Sequence, residues 1–197
     1  WGSLSRYFST KYNCSVKGIS LSEEQISYCL KKQKSFKNRK DIEYSLQDYR
    51  NENSHYDKIV SVGMFEHVGK PFYNIYFQKI NDLLSDNGIA VIHTIGNIRT
   101  PKLTPAFIRK YIFPGGYIPS LSEIMPAVEK SGLIISDVEV LRLHYADTLR
   151  NWFKNFQKEE KKILDLYDHR FIRMWEAYLN LSEISFRKGD NVVFQLV

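Results

Sequence analysis

Short runs of β-branched and apolar residues alternate along this chain with longer stretches in which apolar residues return every three or four positions. The first pattern suits a strand and the second a helix with one buried face. Strands are predicted at 15–19, 42–46, 58–62, 89–95, 133–141 and 192–197. A helix is predicted over 22–34, where Ser20-Leu-Ser-Glu23 and Ser22-Glu-Glu-Gln25 set a hydroxyl and a Glu or Gln at capping-box spacing. A second is predicted over 73–84, with Tyr73, Tyr76, Phe77, Ile80 and Leu84 on one face and Asn87-Gly88 as its stop. Leu-Ser-Glu recurs at 21, 121 and 181 and reads as repeated helix-start chemistry.

Strands alternating with helices predict an α/β layer structure, here one domain over 1–197. Two insertions interrupt it. Between 95 and 133, Pro101, Pro105, Pro114, Gly115, Gly116 and Pro119 punctuate short apolar stretches, the texture of a lid or substrate-facing wall. From 144 to 187 a second insertion carries two predicted helices, around Trp152 and Trp175.

With 197 residues, 43% of them hydrophobic, the chain can bury one ordinary core. Lys and Arg (28) exceed Asp and Glu (22), and the positive charges gather only at Lys31, Lys32, Lys34, Lys37, Arg39 and Lys40. A solvated helix end and loop accounts for that cluster more simply than an anionic lipid surface or a nucleic acid, so no nucleic-acid partner is predicted. No apolar stretch approaches the ~20 residues of a membrane span, and the amino terminus lacks a signal-peptide pattern, which predicts a cytoplasmic protein. Cys14 and Cys29 have no Cys-x-x-Cys spacing, so neither a disulfide framework nor a zinc site is predicted.

Three blocks carry candidate chemistry: Val60-Ser-Val-Gly-Met-Phe-Glu-His-Val-Gly69, Ile92-His-Thr-Ile-Gly96 and His144-Tyr-Ala-Asp-Thr-Leu149. They place a carboxylate (Glu66), an imidazole (His93) and a phenol (Tyr145) just past apolar runs, where the loops of an α/β sheet gather around a ligand. Glu66 can orient a ligand or act as a base; alone, it also reads as a charge favourable to a helix dipole. His93, inside an apolar strand, needs a partner and also reads as a satisfied core histidine. Tyr145 can donate to an anion, with Asp147 and Thr148 as alternative local partners, and also reads as packing.

These blocks, with Ile112-Phe-Pro-Gly-Gly-Tyr-Ile-Pro119, Arg170-Phe-Ile-Arg-Met-Trp-Glu-Ala-Tyr178 and Phe186-Arg-Lys-Gly-Asp-Asn-Val-Val-Phe-Gln195, closely resemble the cyclopropane fatty acid synthase and mycolic acid cyclopropane synthase family. The resemblance implies a Rossmann-like class I methyltransferase sheet with helical insertions. It also implies S-adenosylmethionine as cofactor and the conversion of cis double bonds of phospholipid acyl chains to cyclopropane rings at the inner face of a membrane. It implies further that Glu66, His93, Tyr145 and the backbone amide of Ile95 hold a bicarbonate ion that serves as base. Phe65, Tyr117, Trp152, Phe153 and Phe171 are aromatic candidates for stabilising a sulfonium or a carbocation.

For the cofactor, the resemblance implies Ser20, Leu21, Ser22 and Gln25, matching the family's Thr/Ser-Leu-Ser-x-x-Gln segment, together with Gln47 and Asp48 beside the adenine. Of the family's Gly-Cys-Gly-Trp-Gly loop only Trp1 and Gly2 are present, so the expected sheet lacks its first strand, and the fifth bicarbonate ligand, a cysteine, would precede Trp1. Such a sheet would have open edges suited to a second copy of the chain or an upstream complementary segment. The competing expectations are a non-catalytic remnant unable to bind the cofactor and a related small-molecule methyltransferase. Ser182 stands where some members carry a cysteine; the implied chemistry does not need a thiol.

Overall fold

The computed structural model describes residues 1–35 and 41–197. Their contacts divide the chain into two compact units, Trp1–Ser54 and His55–Val197, each with its own sheet.

The first unit runs α1 (Ser3–Tyr12), β1 (Val16–Ser20), α2 (Glu23–Lys34) and β2 (Ile42–Leu46). Helix α2 starts as its sequence predicts: Ser22 is the N-cap, and its hydroxyl accepts a hydrogen bond from the Gln25 amide at 3.2 Å. Lys31, Lys32 and Lys34 fill its last turn, where positive charge is favourable to the helix dipole. Lys37, Arg39 and Lys40 of the predicted basic cluster lie outside the described residues. Strands β1 and β2 pair in parallel from Val16↔Ile42 to Ser20↔Leu46, and the Gln47 amide donates to the Ser20 carbonyl at 3.0 Å. Both strands therefore leave the sheet at the same end. Just beyond it, buried Glu52 accepts from Lys17 Nζ at 2.8 Å, Gln47 Nε2 at 3.0 Å and the amides of Asn53 and Ser54. Burial alone would raise this carboxyl, but the Lys17 ammonium and the two amides outweigh it and hold the group far below the usual range.

The second unit runs β3 (Tyr56–Val62), α3 (Tyr73–Leu83), β4 (Leu84–Asn97), α4 (Leu121–Ser131), β5 (Val138–Leu141), α5 (His144–Lys158), α6 (Glu160–Leu164), α7 (His169–Arg187) and β6 (Asn191–Leu196). Its sheet has the order β3-β4-β6-β5, with β3 parallel to β4 and β6 antiparallel to both of its neighbours. Along β4, Ile92, Thr94 and Gly96 are buried, while His93 and Ile95 share the other face, as the two-residue period requires. Gly96 sits against the Phe194 ring so closely that a Cβ there would lie 2.2 Å from it. Helices α5 and α7 pack on each other. Their cluster of Ala146, Leu149, Tyr178, Leu179 and Phe186 takes in Val193 of β6, with Ile95 and Tyr145 packed against it. Buried Glu183 clips the helix pair, accepting from Arg150 Nε at 2.7 Å and Arg187 Nε at 2.6 Å.

Four expectations are corrected. The run 133–137 is not strand: Ile134 is 88% exposed, and only Val138–Leu141 pairs with β6. Asn87-Gly88 does not stop α3, which ends at Leu83; the pair lies within β4, where the register with β3 shifts between Tyr56↔Leu84 and Lys58↔Ile89. Leu181-Ser-Glu183 falls inside α7, its glutamate being the ion-pair centre rather than helix-start chemistry. The second insertion holds three helices instead of two, and the first contains a π-helical turn at Ile108–Ile112. None of the described helices is long and apolar enough to cross a membrane.

Candidate active site

Glu66 owes its position to the way β3 ends. After Val62, Gly63 takes a left-handed φ of 64°, open to glycine at little cost, and its amide donates to the His93 carbonyl at 2.9 Å as the last bond of the β3–β4 ladder. A 3₁₀ turn, Phe65–His67, comes next. Phe65, fully buried, anchors the turn by stacking on Tyr73 with ring centres 4.4 Å apart and by contacting Tyr76 and Phe77 of α3. Phe65 is thus a packing residue, not an aromatic face presented to a ligand.

The next backbone donor on that edge of β4 is Ile95 N–H, two residues beyond His93. With β3 ended, the carboxylate of Glu66 takes the place of a ladder carbonyl and accepts from this amide through Oε1 at 2.7 Å. Its other oxygen, Oε2, is buried with no hydrogen-bond partner. A buried acceptor of this kind carries a desolvation cost that a donating ligand would relieve.

Tyr145 lies in the first turn of α5, its ring held edge-on against Trp152 at 5.8 Å and Phe186 at 5.1 Å. Burial, and then the charge of Glu66, raise its phenol above the ordinary value, so it stays a donor. Neither its hydroxyl nor the His93 imidazole makes a hydrogen bond among the described residues. The proposed local partners are engaged elsewhere: Asp147 accepts from Arg187 at 2.6 Å, and Thr148 donates to the His144 carbonyl at 3.2 Å. The structure therefore brings together Glu66, Ile95 and Tyr145, with His93 on the same strand face as Ile95. It differs from the expectation at one point, because the Ile95 amide is committed to Glu66.

A second carboxylate, which sequence reasoning passed over, braces this corner. Glu123 accepts from the Tyr117 hydroxyl at 2.8 Å and pairs with Lys70 Nζ at 2.9 Å, while closing a capping box with Ser120 at the start of α4. Burial would raise Glu123, but the Ser120 amide, Lys70 and Tyr117 outweigh it and hold it low; burial and that same carboxylate push Tyr117 up to about 12. The Tyr117 amide in turn donates to the Glu66 carbonyl at 2.9 Å. The readable signal was Ser120-Leu-Ser-Glu123, the same capping spacing as in the first unit.

Apart from Trp1 and Gly2, which precede α1, the candidate cofactor residues of the first unit lie at or past the carboxyl ends of β1 and β2, where α/β sheets bind ligands. The Ser20 hydroxyl donates to Gln25 Oε1 at 2.8 Å and accepts from the Ser22 amide at 3.1 Å. Leu21 is largely exposed. Gln47 is tied to Glu52, and Asp48 caps a 3₁₀ turn while gripping Arg50 with both oxygens, at 3.0 and 2.6 Å. Trp1 packs edge-on to Tyr28 at 5.4 Å, and the Gly2 carbonyl accepts from the Tyr44 hydroxyl at 3.2 Å. Leu21 is thus open to a ligand, whereas the hydroxyls of Ser20 and Ser22, like both oxygens of Asp48, already have partners within the unit.

Helix-flanked sheets with these strand orders, and polar groups past the ends of parallel strands, define the class I S-adenosylmethionine-dependent methyltransferase fold. Within that class the chain belongs to the mycolic acid cyclopropane synthetase family, whose model matches residues 1–196. It is 37% identical over 197 residues to the cyclopropane-fatty-acyl-phospholipid synthase of Escherichia coli (strain K12), matching all of this chain and 50% of that protein. Among solved structures it superimposes on the cyclopropane synthase MmaA2 from Mycobacterium tuberculosis with a TM-score of 0.93 and 26% identity, covering 100% of this chain and 73% of that one. The mycolic acid cyclopropane synthase CmaA1 complexed with SAH and CTAB gives the same TM-score at 27% identity and the same coverage. The chain spans about half the length of the curated relatives it matches.

Proposed function

We propose that the protein transfers a methylene group from S-adenosylmethionine to the cis double bond of unsaturated phospholipid acyl chains at a cytoplasmic membrane face, forming cyclopropane rings with a bound bicarbonate as base. The observation that carries this reading is the buried, partnerless Oε2 of Glu66, with the Tyr145 phenol near enough to feel its charge and His93 on the strand face that Ile95 shares. An acceptor and two potential donors suit a small anion that carries one hydroxyl of its own. When bound, S-adenosylmethionine supplies the electrophilic methyl group and bicarbonate the acceptor for the proton lost at ring closure.

The chain's own residues have separate tasks in this scheme. The Ile95 amide orients Glu66, and the Tyr117 amide fixes the turn that carries it. Tyr145, kept protonated, donates; the apolar cluster around Ile95 excludes water that would otherwise trap a cation. In the first unit Ser20, Leu21, Ser22 and Gln25 address the ribose and methionine groups, with Trp1, Gly2, Gln47 and Asp48 as accessory contacts. A remnant without catalytic capacity is not favoured by a site that keeps Glu66, Ile95 and Tyr145 assembled.

The test is incubation of the intact protein with methyl-labelled S-adenosylmethionine and vesicles of a mono-unsaturated phospholipid, with and without bicarbonate. Label in a ring-bearing acyl chain heavier by one CH₂, formed in a bicarbonate-dependent manner, supports the reading. Label confined to small molecules, or a product independent of bicarbonate, overturns it.

A further inference from the structure

On the second unit a cleft of about 530 Å³ opens between the π-helical turn of the first insertion and the start of α7. Its size is that of a small-molecule site. Phe107, Phe171 and Met174 make its walls apolar, and Arg170, Arg173 and Tyr111 supply polar groups. We propose that this cleft seats the phosphate of a phospholipid headgroup and hands the acyl chain on toward Glu66; the proposal rests on the lipid-methyltransferase reading above.

Charge selects the ligand. Arg170 and Arg173 are exposed and form no ion pair among the described residues, and Lys110 on the same turn reaches over the Tyr111 ring at 5.1 Å. The Tyr111 phenol is held below its ordinary value by Lys110 first and by Arg170 after it, so its hydroxyl lies within reach of both cations. The carboxylate at the cleft, Asp168, is engaged as the N-cap of α7, accepting from the Phe171 amide at 2.8 Å. Three cations against one capped carboxylate favour an anion, and a guanidinium pair matches a phosphate.

Apolar surroundings select a lipid over an acidic protein. Leu166, 77% exposed, and Tyr167, 54% exposed, stand on the loop before α7, and Tyr167 stacks on Phe171 at 4.1 Å. An aliphatic and an aromatic side chain held out beside basic residues suit a lipid interface. From Phe171 an aromatic row then runs along one face of α7, to Trp175 at 5.8 Å and on to Tyr178 at 5.0 Å. Tyr178 lies close enough to Tyr145 that, after burial, the phenol of Tyr145 helps push it up to about 12. The row thus joins the cleft to the buried cluster against which Tyr145 packs.

The experiment compares the intact protein with Arg170→Ser/Arg173→Ser and with a control that removes two exposed charges elsewhere, Lys130→Ser/Lys188→Ser. Affinity for S-adenosylhomocysteine, retained in both, reports the fold. The arginine variant should bind phosphatidylglycerol vesicles about 30-fold more weakly, the control about as well as the unmodified protein. Inorganic phosphate at matching phosphate concentration should not displace the vesicles. The proposal is overturned by unchanged vesicle binding in the arginine variant, by an equal loss in the control, or by displacement with free phosphate. It is equally overturned if the arginines govern binding of an acidic acyl-carrying protein and not of vesicles. Vesicle binding that needs Arg170 and Arg173 without any methyl transfer would sink the functional reading and leave the cleft assignment standing, whereas methyl transfer with arginine-independent binding would do the reverse.

Discussion

The Glu66 carboxylate and the Ile95 amide, twenty-nine residues apart in sequence, meet at 2.7 Å where the β3–β4 ladder runs out. The side chain completes a backbone pattern, which costs it one oxygen and aims the other into a buried corner. Orientation of the acceptor therefore depends on where β3 stops.

Glu66→Gln keeps an oxygen able to accept from Ile95 but puts a donor where Oε2 was. Turnover should fall by about 100-fold or more, while affinity for S-adenosylhomocysteine changes by less than about threefold. The phenol of Tyr145 should titrate at lower pH, since the negative charge that helps raise it is gone. Single-turnover methyl transfer, calorimetry and tyrosine-selective NMR read the three effects.

Tyr145→Phe retains the edge-on contacts with Trp152 and Phe186 and removes only a hydroxyl without a protein partner. Stability should change by less than about 1 kcal/mol in urea unfolding, and turnover should drop by at least about tenfold. His93→Ala should raise the bicarbonate concentration needed for half-maximal rate. An unchanged bicarbonate titration in both variants would remove them from the anion site.

Glu183 links α5 to α7 through Arg150 and Arg187. Its burial opposes ionisation, but the two guanidinium groups win and its folded pKa lies below the ordinary carboxylate value. A carboxyl depressed on folding contributes stability above its unfolded pKa, about 4.3, and loses it as pH falls through the lower folded value. Urea midpoints of the intact protein should therefore fall steeply below about pH 4, and Glu183→Gln should flatten that dependence while lowering the midpoint at pH 7.

Gly96→Ala should cost about 3 kcal/mol, at the upper end for overpacking, because the added methyl would fall on the buried ring of Phe194 and no solvent-side escape exists. Combining it with Phe194→Leu should recover part of the loss. Strict additivity of the two changes would show that the ring is not what the methyl meets.

The helical pattern of α2 and α3 was legible because apolar residues return on one face of each, and β1, β2 and β6 were legible as short apolar or β-branched runs, β6 being buried on both faces. The run at 133–137 misled because an apolar triplet says nothing about whether a neighbouring strand is there to pair with it; β6 reaches only as far as Val138. Glu66, His93 and Tyr145 could be picked out as candidates through their family resemblance. Their bonding could not, since the capture of the Ile95 amide depends on the end of another strand. Glu123 was passed over for a related reason: its capping role is written in Ser120-Leu-Ser-Glu123, but its grip on Tyr117 and Lys70 arises only when distant segments meet.

The five residues of the π-helical turn, closed by the Phe113 amide on the Ile108 carbonyl at 2.9 Å, make this stretch of chain a matter of counting. A π turn holds one residue more than an α turn. Deleting a single residue there would let the segment close as an ordinary α turn, which leaves its flanks nearly in phase but moves the residues within the turn to new positions. Phe107 and Tyr111, which line the cleft, and Ile112, which packs on the core, could not then all keep their places. Lineages of this chain should accordingly tolerate exchange of side chains in 108–112 far better than gain or loss of a codon.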